Sequence, residues 1–149
     1  MAETLVRQFG YLGLFAVSFL AATILPFSSE VVVLLMPRLD YNTWLILIVA
    51  TAGNYLGGLT NYYVGKKGSD FIFSRFIKIE PEKIERARGL YGRWGAPVTF
   101  FSWVPVIGDP LLVVAGMLDM NLLAFTFWVG LGKFLRYGFI LGISDRVFN

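Results

Sequence analysis

The sequence predicts an all-α integral membrane protein. It is expected to form two pseudo-symmetric, inverted repeats, each a re-entrant helical hairpin followed by a transmembrane helix. Three observations carry this expectation. The chain is 56% hydrophobic and only 15% charged, where soluble domains carry about 25% charged residues. Its long apolar stretches are interrupted internally by prolines and single charges. Residues 26–65 also align without a gap on residues 105–144, Pro26 falling on Pro105.

The first apolar run, Gln8 to Ser29, has 22 residues without Asp, Glu, Lys or Arg. A secretory signal has an apolar core of only about 7–15 residues behind a basic start. Here the residues ahead of the run include Glu3 and Arg7, and Ala21-Ala22-Thr23 is a poor cleavage site. The segment therefore reads as part of the mature protein. Tyr41 to Gly65 follows, with 25 residues free of charge. A crossing helix needs about 20, so this run spans. Met120 to Ser144 spans only if Lys133 and Arg136 are tolerated inside it.

Between the halves the character changes. Residues 66–93 hold eight of the thirteen Lys and Arg and four acids. Pro81 suits a first helical position, and Glu82 and Glu85 favour the positive end of a helix. Ile84, Ala87, Tyr91 and Trp94 recur at a spacing of three to four, which predicts an amphipathic surface helix. The positive-inside rule assigns this linker to the cytoplasm. It reads as a solvated connection or as a contact for anionic headgroups. The domain expectation is one membrane domain over 1–149, with repeat 1 at about 9–65, the linker at 66–93 and repeat 2 at about 94–144.

The repeat is physical as much as textual. Each half reads Pro-x-x-x-acid, with Glu30 matching Asp109. Leu39-Asp40-x-Asn42 matches Leu118-Asp119-x-Asn121, and Gly53 matches Gly132. Proline in mid-membrane removes a backbone hydrogen bond, which is tolerated only against protein or a wet cavity. Phe9–Pro37 and Trp94–Leu118 are therefore expected to be re-entrant hairpins, with kinked crossing helices as the alternative. Inverted repeats with broken segments at matching positions are a transporter pattern.

Charges within apolar segments cost about 2.5–3.5 kcal/mol each on insertion scales. Glu30 and Asp109 are two such charges, and Lys133 and Arg136 are the cations available to them. All four, with Asn54, are candidate residues for binding substrate or proton. They are expected either to line a central cavity or to sit near the interface with the cations snorkelling. Pro26, Pro105, Gly108 and Pro110 are the expected breaks, and Gly53, Gly57 and Gly132 the expected packing positions. Gly53-x-x-x-Gly57 and Gly138-x-x-x-Gly142 are small-residue faces, for packing within the chain or for pairing of copies.

Whole chemistries are excluded by what the chain lacks. It has no cysteine and no histidine, so disulfides, thiolate metal sites and Ser–His dyads are impossible. Gly108-Asp109 approaches the aspartyl intramembrane protease motif, but Val106 stands where its glycine belongs. No enzyme activity, cofactor or metal site is expected.

Several blocks together resemble the DedA (SNARE-associated, VTT-type) membrane family, and specifically its YqaA-like branch. These are Pro26-Phe27-Ser28-Ser29-Glu30, Gly53-Asn54-Tyr55-Leu56-Gly57, Tyr62-Tyr63-Val64-Gly65-Lys66-Lys67-Gly68, Tyr91-Gly92-Arg93-Trp94-Gly95, Ser102-Trp103-Val104-Pro105 and Ala115-Gly116-Met117. Val106-Ile107-Gly108-Asp109-Pro110 points to the branch. The resemblance covers nearly the whole chain. It implies facing re-entrant hairpins in the bacterial inner membrane and movement of lipids, including polyprenyl-phosphate carriers, with Glu30 as the functional glutamate and the proton gradient as a driving force. The chain departs from the pattern at Asn54, where the family has an acid, and at Ser102 and Gly108, where it has arginines. The function expected is a multi-pass transporter of a lipid or lipid-linked substrate, with a non-transporting scaffold or accessory subunit as the alternative. Membrane lipids and further copies of the chain are the expected partners, and nucleic acid is not.

Overall fold

The computed structural model describes residues 2–22, 29–68, 81–104 and 108–148, apart from some side chains near the helix ends and that of Asp109. Among these residues there is helix and no strand. Pro26, Pro105 and the linker segment 69–80 lie outside the described residues, so the apices of both expected hairpins do too.

Helix α1 covers Ala2–Ala21 and is bent at Gly10, where φ is 53°. A side chain there would be strained, and the Tyr41 ring lies against the bend. Helix α2 is short, Ser29–Leu35, and runs into a 3-10 turn over Met36–Leu39. The long helix α3 spans Thr43–Lys67. By length and composition it is, among the described residues, the helix able to cross a membrane. Helix α4 covers Pro81–Trp94 and starts at the proline as expected. A 3-10 stretch, Ala96–Trp103, leads to α5, Gly108–Met117, and then to α6, Leu122–Phe148. At about 1.5 Å per residue, the 27 residues of α6 extend roughly 40 Å, with Lys133 and Arg136 within that length.

Both long helices are entered through the same turn. Before α3, Asp40 takes a left-handed conformation (φ 65°), and the Tyr41 N–H donates to the Met36 carbonyl. Asn42 then accepts from the N–H groups of Trp44 and Leu45 at 2.9 and 3.2 Å. Before α6, Asp119 is left-handed (φ 52°), and the Met120 N–H donates to the Ala115 carbonyl. Asn121 accepts from Leu123 and Ala124 at the same 2.9 and 3.2 Å. Aspartate tolerates this conformation because its short polar side chain bonds locally. The asparagines satisfy N–H groups that a helix start otherwise leaves open.

The chain forms two compact units. One comprises Met1–Gly57 and Lys133–Asn149, the other Gly58–Gly132. The core of the first gathers Leu14 from α1, Val32 and Val33 from α2, Met36, Ile46, Leu47 and Ala50 from α3, and Tyr137 and Leu141 from α6. In the second unit Leu111 to Ala115 are wholly buried, with Tyr62, Phe125 and Val129. The Tyr62 and Phe125 rings lie 4.7 Å apart, and the Tyr62 hydroxyl donates to the Met120 carbonyl at 2.5 Å. Ala87 and Tyr91 bury one stripe of α4, and the Tyr91 hydroxyl donates to the Leu111 carbonyl at 2.7 Å. Burial pushes the Tyr91 phenol up, so it stays protonated and remains a donor.

The second unit depends on bare backbone. A methyl group on Gly65 would run into the Val113 carbonyl, and one on Gly116 into the Tyr62 carbonyl and the Lys66 amide. Both obstacles are backbone and cannot turn aside. Gly116→Ala is therefore expected to destabilise the protein by about 1–3 kcal/mol, as overpacking does. Thermal unfolding in detergent checks this, and an unchanged midpoint would contradict the packing.

Candidate functional site

The first unit contains a cluster of polar side chains among apolar helices. Its geometry starts from two glycines. A Cβ on Gly53 would meet the Phe15 carbonyl, and one on Gly57 the Phe19 carbonyl and the Ala22 side chain. With no Cβ, the backbones of α1 and α3 come into direct contact. The Ser18 carbonyl then lies within reach of Asn54, whose amide Nδ2 donates to it at 3.0 Å. That bond sets the orientation of the amide and turns its oxygen the other way. The oxygen accepts a hydrogen bond from the Lys133 ammonium of α6. Asn54 and Lys133 are each only 4% exposed.

Arg136 and Tyr137 lie three and four residues beyond Lys133, on the same face of α6. Arg136 forms an ion pair with Glu30 in the first turn of α2, and both side chains are partly exposed, at 24% and 40%. Tyr137 is wholly buried, and its hydroxyl shares a 2.6 Å hydrogen bond with Ser29, the residue before Glu30. Two consecutive residues of α2 therefore meet two consecutive residues of α6. Thr51, one turn before Asn54 on α3, has a buried hydroxyl with no hydrogen-bond partner. The described part of the cluster holds one carboxylate and two cationic groups.

Four of the sequence-derived candidates, Glu30, Asn54, Lys133 and Arg136, thus come together in one unit. The side chain of Asp109 lies outside the described residues. Gly108 and Pro110 open α5 in the second unit, both buried. Gly132 brings α6 against the Phe100 carbonyl and the Trp103 ring. Sequence reasoning missed Ser29, Tyr137 and the Ser18 carbonyl. The signal for the first two is adjacency, since each neighbours a charged residue in an apolar run. Asp119, in the turn before α6, pairs with Lys66 at 3.0 Å.

Residues 25–146, nearly the whole described fold, match the VTT domain. The chain belongs to the VTT-domain (DedA) family. It is 40% identical over 127 residues to the inner membrane protein YqaA of Escherichia coli (strain K12), covering 83% of each chain. It is 34% identical over 141 residues to an uncharacterized protein of Haemophilus influenzae, covering 88% of this chain and 85% of that one. Against undecaprenyl phosphate transporter A of Staphylococcus aureus the identity is 24% over 133 residues, covering 81% of this chain and 66% of the relative. No solved structure matches the chain.

Within this VTT domain the two departures from the arginine pattern have a structural footing. Ser102 is buried and its hydroxyl has no partner. A Cβ on Gly108 would collide with the Ser102 carbonyl, so this backbone has no room for a long side chain at 108. Among the described residues the buried cationic side chain is that of Lys133 on α6.

The described residues contain no group of three acidic side chains placed to hold a metal ion.

Proposed function

We propose that the protein is a multi-pass membrane transporter that moves or scrambles a lipid or lipid-linked substrate across the bacterial inner membrane, with no enzymatic step. The observation that carries this reading is the cluster of Glu30, Arg136, Lys133 and Asn54 among apolar helices. Ionisable groups in such surroundings are costly and mark substrate or proton paths. With two cations and one acid described, the cluster suits an anionic headgroup, and Glu30 is the group that would carry a proton. The similarity to a protein named undecaprenyl phosphate transporter A supports the substrate class, and that to an inner membrane protein supports the location.

Two features support the inverted-repeat reading, with hairpins at residues 9–37 and 94–118 and the basic linker in the cytoplasm. The same capped turn precedes α3 and α6. Each compact unit takes the first stretch of one long helix and the last stretch of the other. Large apolar side chains stand exposed on both helices, among them Trp44 at 70%, Ile48 at 57%, Leu123 at 83% and Phe139 at 70%. Lipid is the solvent that suits them.

The test is lipid scrambling in proteoliposomes, with wild type beside Glu30→Gln and Asp109→Asn. Movement of phospholipid or polyprenyl phosphate by the wild type, with loss of about tenfold or more in Glu30→Gln (some 1.4 kcal/mol), is the expected result. No movement above empty liposomes would favour the second reading, a scaffold or accessory subunit. The specific observation behind that second reading is Gly108, where the backbone excludes the family's arginine.

A further inference from the structure

We propose that one flank of α4 is a binding surface for the anionic headgroups of bilayer phospholipids. The inference rests on the membrane placement of the chain but not on the identity of any transported substrate. Helix α4 is fastened on one side only, by Ala87 and Tyr91 and by the Tyr91–Leu111 hydrogen bond. That attachment fixes which residues face outward. At 3.6 residues per turn, Lys83, Arg86, Leu90, Arg93 and Trp94 fall within an arc of about 100° beside the buried stripe. Glu82 borders this arc, Glu85 lies beyond it, and neither falls inside. Arg88 projects from the opposite flank.

Inside the arc Leu90, 39% exposed, and Trp94, 63% exposed, lie nearer the buried stripe, with half-buried Lys83 between them. Arg86 and Arg93 lie further out, and both are exposed. The Arg93 guanidinium sits 5.3 Å from the Trp94 ring centre, over its face. The Trp94 departure from the expected apolar stripe follows from this placement. It closes α4 on the flank, just ahead of Gly95 with its positive φ of 74°. An apolar edge with tryptophan beside a cationic edge is the arrangement of a helix lying in a membrane interface. The apolar edge meets the acyl boundary and the cations meet phosphate. Phe101, 53% exposed in the following 3-10 stretch, adds apolar surface in the same unit.

The test uses the full chain in nanodiscs of phosphatidylcholine carrying trace spin-labelled phosphatidylglycerol or spin-labelled phosphatidylcholine. Electron paramagnetic resonance reads the immobilised fraction of each. The wild type is expected to prefer phosphatidylglycerol several-fold, and less so at high salt, where surface charges are screened. Each basic residue at an anionic surface is worth about a fivefold preference, so Arg86→Gln/Arg93→Gln should bring the ratio down by that much or more. Arg88→Gln should leave the preference unchanged. A preference untouched by the double substitution, or lost equally with Arg88→Gln, would overturn the proposal. So would unchanged lipid selectivity with Arg-dependent capture of an acidic protein. Both variants change only exposed side chains, and monodisperse elution checks their folding. Lipid scrambling by the same samples separates the two readings. Headgroup preference without Glu30-dependent scrambling would sink the transport reading and leave this one standing.

Discussion

Arg136→Ala is expected to lower stability by roughly 2 kcal/mol and to abolish substrate movement. Breaking a fully buried ion pair by removing one partner costs about 3–5 kcal/mol, whereas exposed pairs are worth less than about 1 kcal/mol. The Arg136 and Glu30 side chains are 24% and 40% exposed, which puts this pair between the two. The neighbouring pair of Tyr137 and Ser29 holds α2 against α6 independently, so the unit is expected to stay folded. What remains is a carboxylate facing an apolar helix without its cation. The sharper expectation concerns the double variant. Glu30→Gln/Arg136→Ala removes the stranded charge and should be more stable than Arg136→Ala alone, giving a coupling of about 0.5–3 kcal/mol in a double-mutant cycle. Thermal unfolding in nanodiscs reads all four proteins. Additive effects would mean that the contact carries no energy, and its proposed role in the binding cluster would fall with it.

Much of the fold was legible because the membrane imposes simple rules. The uncharged run of 25 residues predicts a crossing, and α3 covers Thr43–Lys67. Asn42 and Asn121 stand at matching places in the repeat, and each caps the helix that follows. Pro81 opens α4. Other features have no periodic signature. The stretch over Ala96–Trp103 is 3-10 rather than α, and the sequence does not separate the two because so apolar a run offers little periodic contrast. The bend at Gly10 depends on where the Tyr41 ring packs, a contact made across 31 positions of chain.

The site was half legible for a related reason. A charge in an apolar run stands out, so Glu30, Lys133 and Arg136 were candidates before any geometry. Their partners were harder to read. Lys133 donates to the neutral Asn54, a partner that counting charges does not suggest. Asn54 is reached because Gly53 and Gly57 admit α1 and place the Ser18 carbonyl on the far side of the amide. That chain of causes runs through three helices, and no spacing rule encodes it. Ser29 and Tyr137 gave no signal of their own, since hydroxyls occur in many apolar helices.

Lys133→Met is expected to separate structure from function most cleanly. Methionine is unbranched and close in length, so it fills the same space on α6 without a cavity. It also removes a buried charge and its desolvation cost. Replacing buried ionic groups by apolar ones of similar volume is often neutral or stabilising by about 1–4 kcal/mol. Against that stands the Asn54 oxygen, which loses its ammonium donor at a cost of about 1–3 kcal/mol. The two effects nearly offset, so the unfolding midpoint should move little. Transport should nevertheless fall by about tenfold or more, a barrier of at least about 1.4 kcal/mol, because the cation is what an anionic headgroup would meet. Asn54→Leu is the complement. It keeps the charge and removes its amide acceptor together with the bond to the Ser18 carbonyl, so it should destabilise the protein. If Lys133→Met instead unfolds the protein while Asn54→Leu leaves it intact, Lys133 is a brace for the first unit. The substrate's charge would then have to be met elsewhere.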